Sequence, residues 1–474
     1  MITRLEVDGF KNLLDFKIDF GPFTCLAGPN GVGKSNVFDA IRFLSLLADH
    51  TLMEAALKVR EAATETSDLR DLFWTDGTRR SSKFRLAADM IVPPNVHDDF
   101  GRPAEATSTF LRYEIEVGYE ERTRDVKMAR LVLLSERLGY IKESEAARRL
   151  IFPHDANKFR EQVIHNRRRS PQGFISTLKS EDGQTEIHVH QDGGSRGNPQ
   201  KAPAESAPRT IIGATNTSAT PTVLAARREM QRWRLLALEP SAMRCSDPFH
   251  AEPRISANGA HLAATVHRLM QGEDPSHNGK RVLSRIAARL AQFVPVTDIR
   301  VDVDDVRQLF TLEVQEQSAA YLPARSLSDG TLRFLALCIL REDTDAEGLL
   351  CMEEPENGIH PARLNAMVDL LRDLTVRPNR RPGPDNPMRQ MIVATHSPHF
   401  VQLQDPQDLL FAMEVRVRSE EKRPATTIRC RPIRGTWRAN GEEKGVCSGD
   451  IISYLTSPPE AQLRLTNSLG LELY

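Results

Sequence analysis

Little in this sequence points to cysteine chemistry. The six cysteines, Cys25, Cys245, Cys338, Cys351, Cys430 and Cys447, are scattered over 474 residues without a C-x-x-C pair, which argues against a zinc site and against a disulfide framework. No apolar run approaches the length of a membrane span or of a secretory signal core. Charge of either sign is not in surplus: 63 basic residues face 64 acidic ones, so nothing global demands nucleic acid or an anionic membrane, and a basic patch would have to be local. Sustained heptads are missing, which excludes a long coiled-coil arm, and no internal repeat is visible. What remains is a globular composition, 40% hydrophobic and 27% charged, enough for one large or two to three ordinary domains. A cytoplasmic protein with no membrane partner is the expectation.

The most informative stretch is Gly28-Pro29-Asn30-Gly31-Val32-Gly33-Lys34-Ser35, which fits G-x-x-x-x-G-K-[ST]. The apolar run Phe23 to Ala27 before it reads as a strand. Val37, Ala40, Ile41, Leu44 and Leu47 after it fall on one helical face. In that context the glycines let the backbone N–H groups of Asn30, Gly31 and Gly33 curl around a phosphate, and the helix adds its positive end. Lys34 is placed to reach the β and γ phosphates, and the Ser35 hydroxyl to ligate Mg²⁺.

Two strand-like runs, Thr3 to Val7 and Leu14 to Phe20, precede this loop. Phe84 to Ile91 and Leu111 to Tyr119 alternate as further strands, so an antiparallel sheet is expected beside the loop. Helices are expected at Leu52 to Thr64, at Val223 to Leu238, at Gly259 to Met270 and at Val282 to Phe293, and a hairpin at Ile299 to Val314. Residues 120 to 220 carry a weak signal, with loop-like composition at Asp192 to Pro199 and Thr215 to Thr222.

The closing third is legible again. An apolar strand, Leu349 to Met352, ends in Glu353-Glu354, the form of a Walker B element in which one carboxylate holds Mg²⁺ and the next polarises the attacking water. Glu353 is assigned to the metal and Glu354 to the water. His396 ends the strand Gln390 to Ala394, where ligands meet a parallel sheet; its neutral imidazole can contact the γ-phosphate or the water. Ser328, Asp329 and Gly330 open the helix Leu332 to Leu340, a second anion-ready site or simply a helix cap.

Together these segments resemble the ATP-binding-cassette ATPases, in the branch of RecF, the SMC-type proteins and the OLD-type ATPases. Gly28 to Ser35 stands as Walker A, Leu327 to Thr331 as the signature, Leu349 to Glu354 as Walker B, Glu356 to Gly358 as the D-loop region and His396 as the switch histidine. The resemblance covers residues 1 to 50 and 320 to 400. Phe10-Lys11-Asn12 is similar to the N-terminal turn that approaches the nucleotide in this branch, which implies nucleotide contacts for Lys11 and Asn12. Leu69 to Gly77 and Glu353 to Pro361 look like the stand-alone ATPases of bacterial defence modules.

The resemblance implies an α/β fold, an ABC-type P-loop ATPase head with an antiparallel β lobe and an inserted helical region. It further implies ATP and Mg²⁺ as cofactors, and a head-to-tail homo-oligomer in which Ser328, Asp329 and Gly330 of one copy close over ATP held by another. Glu353 departs from the Asp more usual there, and no glutamine precedes Gln162 to serve as the Q-loop residue. On this reading the head comprises residues 1 to 80 and 298 to 414. The lobe spans 81 to 222, the helical insertion 223 to 297 and a C-terminal extension 415 to 474. The expected function is an ATP-hydrolysing switch that senses for or regulates a separate effector protein in antiphage defence. The alternatives are a RecF-like DNA-repair clamp and an inactive ATP-binding scaffold. DNA contacts would fall on Lys158, Arg160 and Arg167 to Arg169, or on Arg227, Arg228, Arg232 and Arg234. His188 and His190 are a weak metal candidate without ligand partners at suitable spacing.

Overall fold

The structure, a computed structural model, describes residues 1–449 apart from 60–67, 122–128, 169, 181, 193–199, 273–274, 317–319, 419–423, 441–444 and 448. A helix that the sequence pattern predicts near Asp450 to Leu455 lies outside the described residues. So do Arg169 and most of the loop at 192 to 199.

A mixed α/β architecture is built on a six-stranded sheet. Its spatial order is Arg234–Leu236, Gly348–Glu353, Arg389–Thr395, Phe23–Ala27, Leu409–Arg418 and Pro424–Pro432. The first five run parallel and the last is antiparallel. Both faces of a parallel sheet are covered, so its strands can be apolar throughout; Phe23–Ala27 and Arg389–Thr395 are buried at every residue. Period-two alternation then divides the side chains between two cores. Leu26, Leu349, Cys351, Ile392 and Ala394 point toward the P-loop helix Lys34–Leu47 and the lobe. Cys25, Leu350, Met352, Met391 and Val393 point toward the helices Leu262–Met270, Asp329–Glu342 and Leu364–Asp373.

The lobe is an eight-stranded antiparallel sheet in the order Gln200–Pro203, Thr185–Val189, Ile175–Lys179, Arg130–Tyr140, Phe110–Glu120, Lys83–Ile91, Ile2–Asp8 and Phe16–Asp19. The fully buried Gln390 pins it to the core sheet. Its amide donates to the carbonyls of Ile2 at 2.8 Å and Gly21 at 2.9 Å and accepts the Ile2 N–H at 3.0 Å. A second buried polar group, Glu136, accepts the N–H groups of Ile211 at 2.7 Å and Ile212 at 3.0 Å and the Tyr113 hydroxyl at 3.1 Å.

Several expectations need redrawing. The helix expected over Val223 to Leu238 stops at Gln231, and Arg234–Leu236 becomes the edge strand beside Leu350–Met352. The segment 223 to 297 therefore supplies part of the core sheet as well as helices. The strand Leu409–Arg418 likewise runs across the boundary expected at 414. Arg130–Tyr140 was hidden in the weak-signal region, yet it is one of the longest strands of the lobe.

Candidate nucleotide site

Register alone lines up the ends of three strands. Glu353 pairs with Ala394, and Ala394 with Leu26, so the two glutamates finish beside the start of the P-loop. Gly28 N–H donates to the Thr395 carbonyl at 3.3 Å. At Gly28 a side chain has no room, because a Cβ would sit 2.5 Å from the Ala412 carbonyl oxygen. At Gly33, where φ is 111°, a Cβ would fall 2.1 Å from the Asn12 amide. The helix Lys34–Leu47 begins directly behind, with no side-chain cap and no acidic residue in its first turn. Its positive end is therefore left for an anion.

Asn30, Gly31, Gly33, Lys34, Ser35 and Asn36 line a cavity of about 280 Å³, closed on the other side by Glu353, Glu354 and Ala394. Lys34 Nζ donates to the carbonyls of Gly28 at 2.7 Å and Pro29 at 2.8 Å. Burial lowers its pKa, opposed by the carboxylates of Glu354 and Glu353. The site has a lysine and a helix N-terminus without a side-chain cap for phosphate, and a hydroxyl with two carboxylates for a hard cation. That donor set fits ATP with Mg²⁺: Ser35 and Glu353 would hold the metal, and Asn30 to Lys34 the phosphates.

Glu354 has φ 47°, uncommon for a residue with a side chain. Neighbours hold it there. Its N–H donates to the Ala394 carbonyl at 2.8 Å, its Oε2 accepts the Asn357 amide at 2.6 Å, and its Oε1 lies 2.7 Å from His396 Nδ1. Glu354 and His396, which the sequence assigned separately to the attacking water and to the γ-phosphate or water, are thus in direct contact. Sequence reasoning had given Asn357 no part in it, although its place three residues after Glu354 in a turn was a usable signal.

Lys11 and Asn12 do reach the P-loop, but from behind it. Asn12 Nδ2 donates to the Val32 carbonyl at 2.9 Å and its Oδ1 accepts the Asn36 amide at 2.8 Å; Lys11 Nζ lies 2.5 Å from Asp39 Oδ2 on the P-loop helix. Neither lines the cavity. They brace the loop rather than reach into it.

Ser328, Asp329 and Gly330 stand apart from that cavity. Ser328 caps the helix Asp329–Glu342, accepting the Thr331 N–H at 3.2 Å. Gly330 packs on the D-loop turn, where a Cβ would meet the Gly358 carbonyl oxygen at 3.3 Å. Arg244 ties the segment down, donating to the Leu327 carbonyl at 3.2 Å and to Asp329 at 2.5 Å. Nothing in the sequence pointed to Arg244, because the pairing spans 85 residues.

The candidate DNA contacts differ in how far the fold commits them, from the buried Arg168 to the exposed Arg167. Arg168 is buried, donates to the carbonyls of Gln172, Gln191 and Gly173, and stacks 4.2 Å from the Phe174 ring centre. Arg167 pairs with Glu105 at 2.6 Å, Arg228 with Asp99 at 2.6 Å and Arg232 with Glu347 at 3.0 Å, while Arg227 and Arg234 donate to backbone carbonyls. His188 contacts Glu186 and His190 contacts Ser176, and no group of three metal-ligating side chains occurs among the described residues. Among these residues no helix is long and apolar enough to cross a membrane.

Comparison with known proteins adds two family matches. Residues 1–164 match a profile described as an AAA ATPase domain. Residues 281–402 match an AAA domain profile whose description assigns it to an AbiEii-type toxin of a Type IV TA system. A 51-residue stretch is 39% identical to the DNA replication and repair protein RecF of Parabacteroides distasonis, spanning 10% of this chain and 14% of that protein. Similar solved structures include an SMC head bound to the C-terminal winged-helix domain of ScpA, at 13% identity, a TM-score of 0.45 and coverage of 90% of this chain and 97% of that one. The SMC head domain from Thermotoga maritima is similar at 11% identity, a TM-score of 0.35 and coverage of 91% and 98%. The two segments that match AAA ATPase profiles are separate in sequence, and the fold brings the P-loop of the first and the paired glutamates of the second into one site.

Proposed function

We propose that this chain is a Mg²⁺-dependent ATPase whose site is completed by a second copy of itself, and that it works as a switch controlling a separate effector in antiphage defence. The observation that carries the reading is the division of the parts. The P-loop, Glu353 and Glu354 meet at one cavity and His396 touches Glu354, while Ser328 to Gly330 form a helix end that does not line it.

Bound Mg²⁺ would supply charge neutralisation at the phosphates. The protein's own residues do the rest. The amides of Asn30 to Gly33 and the Lys34 ammonium bind and orient the phosphate chain, with Asn12 fixing the loop from behind. Glu354 accepts the proton of the attacking water, and Asn357 and His396 aim its two oxygens. Ser328 and Gly330 of the second copy close over the γ-phosphate, so hydrolysis and dimer opening become one event.

The defence assignment draws support from the AbiEii-type description of the family matched by residues 281–402. The RecF similarity supports the second reading, a DNA-repair clamp; the commitment of Arg168 to backbone carbonyls inside the lobe weighs against it. The deciding test is Glu354→Gln. It should cut phosphate release by about 10²- to 10⁴-fold while trapping a nucleotide-bound oligomer; unchanged release refutes the assignment. Co-purification of a second protein that ATP releases favours the regulator, whereas salt-dependent DNA binding strengthened by ATP favours the clamp.

A further inference from the structure

Two consecutive residues at the end of the switch strand are each joined to a carboxylate of the same turn. His396 meets Glu354 as described, and the hydroxyl of Thr395 donates to Glu356 Oε1 at 2.5 Å. That hydroxyl has one proton, so Glu356 receives all that Thr395 can give. Its oxygen in turn accepts the Ser397 N–H at 3.0 Å, and Ser397 caps the next helix by accepting the Phe400 N–H at 3.4 Å. Thr395 is fully buried and Glu356 is 9% exposed. Glu356 Oε2 is buried without a hydrogen-bond partner among the described residues.

A buried carboxyl with one idle oxygen is an expensive way to hold a turn, since a buried polar atom without a partner loses its hydration with nothing in return. Its position explains the choice. Thr395 is the last buried residue before His396, and the chain after it continues through Ser397 alone. Burial raises the Glu356 pKa, and the hydrogen bond from Thr395 opposes the rise.

We propose that Glu356 and Thr395 form a latch that fixes the switch loop, setting His396 against Glu354, and so act as positioning residues for water activation without touching the nucleotide. This rests on the reading of Glu354 as the base. Glu356 serves as an acceptor, so an amide can replace it. Glu356→Gln and Thr395→Ser keep the bond; Glu356→Ala and Thr395→Val lose it.

The test is phosphate release against ATP concentration, with Mg²⁺, for the full chain and these four variants, alongside Glu354→Gln. Thr395→Val and Glu356→Ala should lower kcat about tenfold with KM for ATP within about twofold, the worth of one hydrogen bond felt only in the chemical step. Glu356→Gln and Thr395→Ser should stay within about threefold of wild type. Wild-type kcat in Glu356→Ala or Thr395→Val overturns the latch and leaves the ATPase reading standing. So does a rise in KM matching the fall in kcat, or a Glu356→Gln as impaired as Glu356→Ala. A wild-type chain no faster than Glu354→Gln overturns both. If Thr395→Val does not fold, Glu356→Ala carries the same comparison.

Discussion

The P-loop cavity and the signature helix are both helix N-termini prepared for an anion, and they differ in what surrounds them. Behind the P-loop the helix Lys34–Leu47 has no side-chain cap, a lysine stands beside it, and two carboxylates face it across the cavity. At the signature, Ser328 fills the cap itself and Arg244 neutralises Asp329. The first is open to a ligand; the second is already satisfied by its own side chains. A capped helix can afford to wait, because its groups are not costly while unoccupied. That asymmetry supports a divided site in which one half binds and the other responds.

The comparison can be broken most forcefully at Lys34. Lys34→Ala should abolish phosphate release, by roughly 10³-fold as for other losses of charge stabilisation. Mixed with Ser328→Arg, which is equally inactive alone, it should regain activity, because one pairing of the two chains contains an intact loop and an intact signature. Phosphate release by the mixture that stays at background would place the whole site in one chain and end the asymmetry.

A pH experiment separates what supports the two halves. The short helix Ile211–Ala214 packs on the end of the P-loop helix, since a Cβ on Gly213 would sit 2.3 Å from the Leu47 carbonyl oxygen. Glu136 holds that short helix, and burial pushes its carboxyl up to about 7. A raised carboxyl pKa means that the folded state binds the proton more tightly than the unfolded chain. The contribution of Glu136 to stability should therefore be largest in acid and fall as pH rises from the ordinary carboxylate range through about 7, by up to about 3 kcal/mol. Urea unfolding at pH 5 and pH 8 should show this loss in wild type and much less of it in Glu136→Leu. An equal pH response in the two would remove Glu136 as the cause.

At the signature the effects should be smaller. Ser328→Ala should cost about 1 kcal/mol of stability through the lost cap, read as a lower melting temperature. Arg244→Ala breaks a half-exposed pair, so stability should change by no more than about 0.5 kcal/mol. Phosphate release should nevertheless fall roughly fivefold, because the Leu327–Asp329 segment loses its tether. If instead stability drops and hydrolysis does not, Arg244 is an ordinary surface contact.

How much of this was legible depended on whether the cause was local. The helix after the P-loop was readable because Val37, Ala40, Ile41, Leu44 and Leu47 repeat on one face, and all five are buried. The buried strands ending at Glu353 and Thr395 were readable as short apolar runs. Arg234–Leu236 was not, since three residues after a helix are a strand only by virtue of the neighbour at Leu350–Met352. Arg130–Tyr140 mixes Arg, Ser and Glu with its leucines, and Glu136 sits in the core because the amides of Ile211 and Ile212 come to it from far along the chain.

By itself, then, the sequence determined the chemistry at hand: a phosphate loop with its lysine and serine, two adjacent carboxylates, a strand-end histidine and a serine-capped helix. Each is set by neighbours within a few residues, where periodicity, turn chemistry and capping act. Only the tertiary structure decided that Glu354 touches His396. It also decided that Lys11 and Asn12 stand behind the loop, that Arg244 holds Asp329, and that the signature lies outside the cavity. Those are contacts between segments tens to hundreds of residues apart, made by strand register and by the packing of two cores on one sheet, and no local pattern carries them.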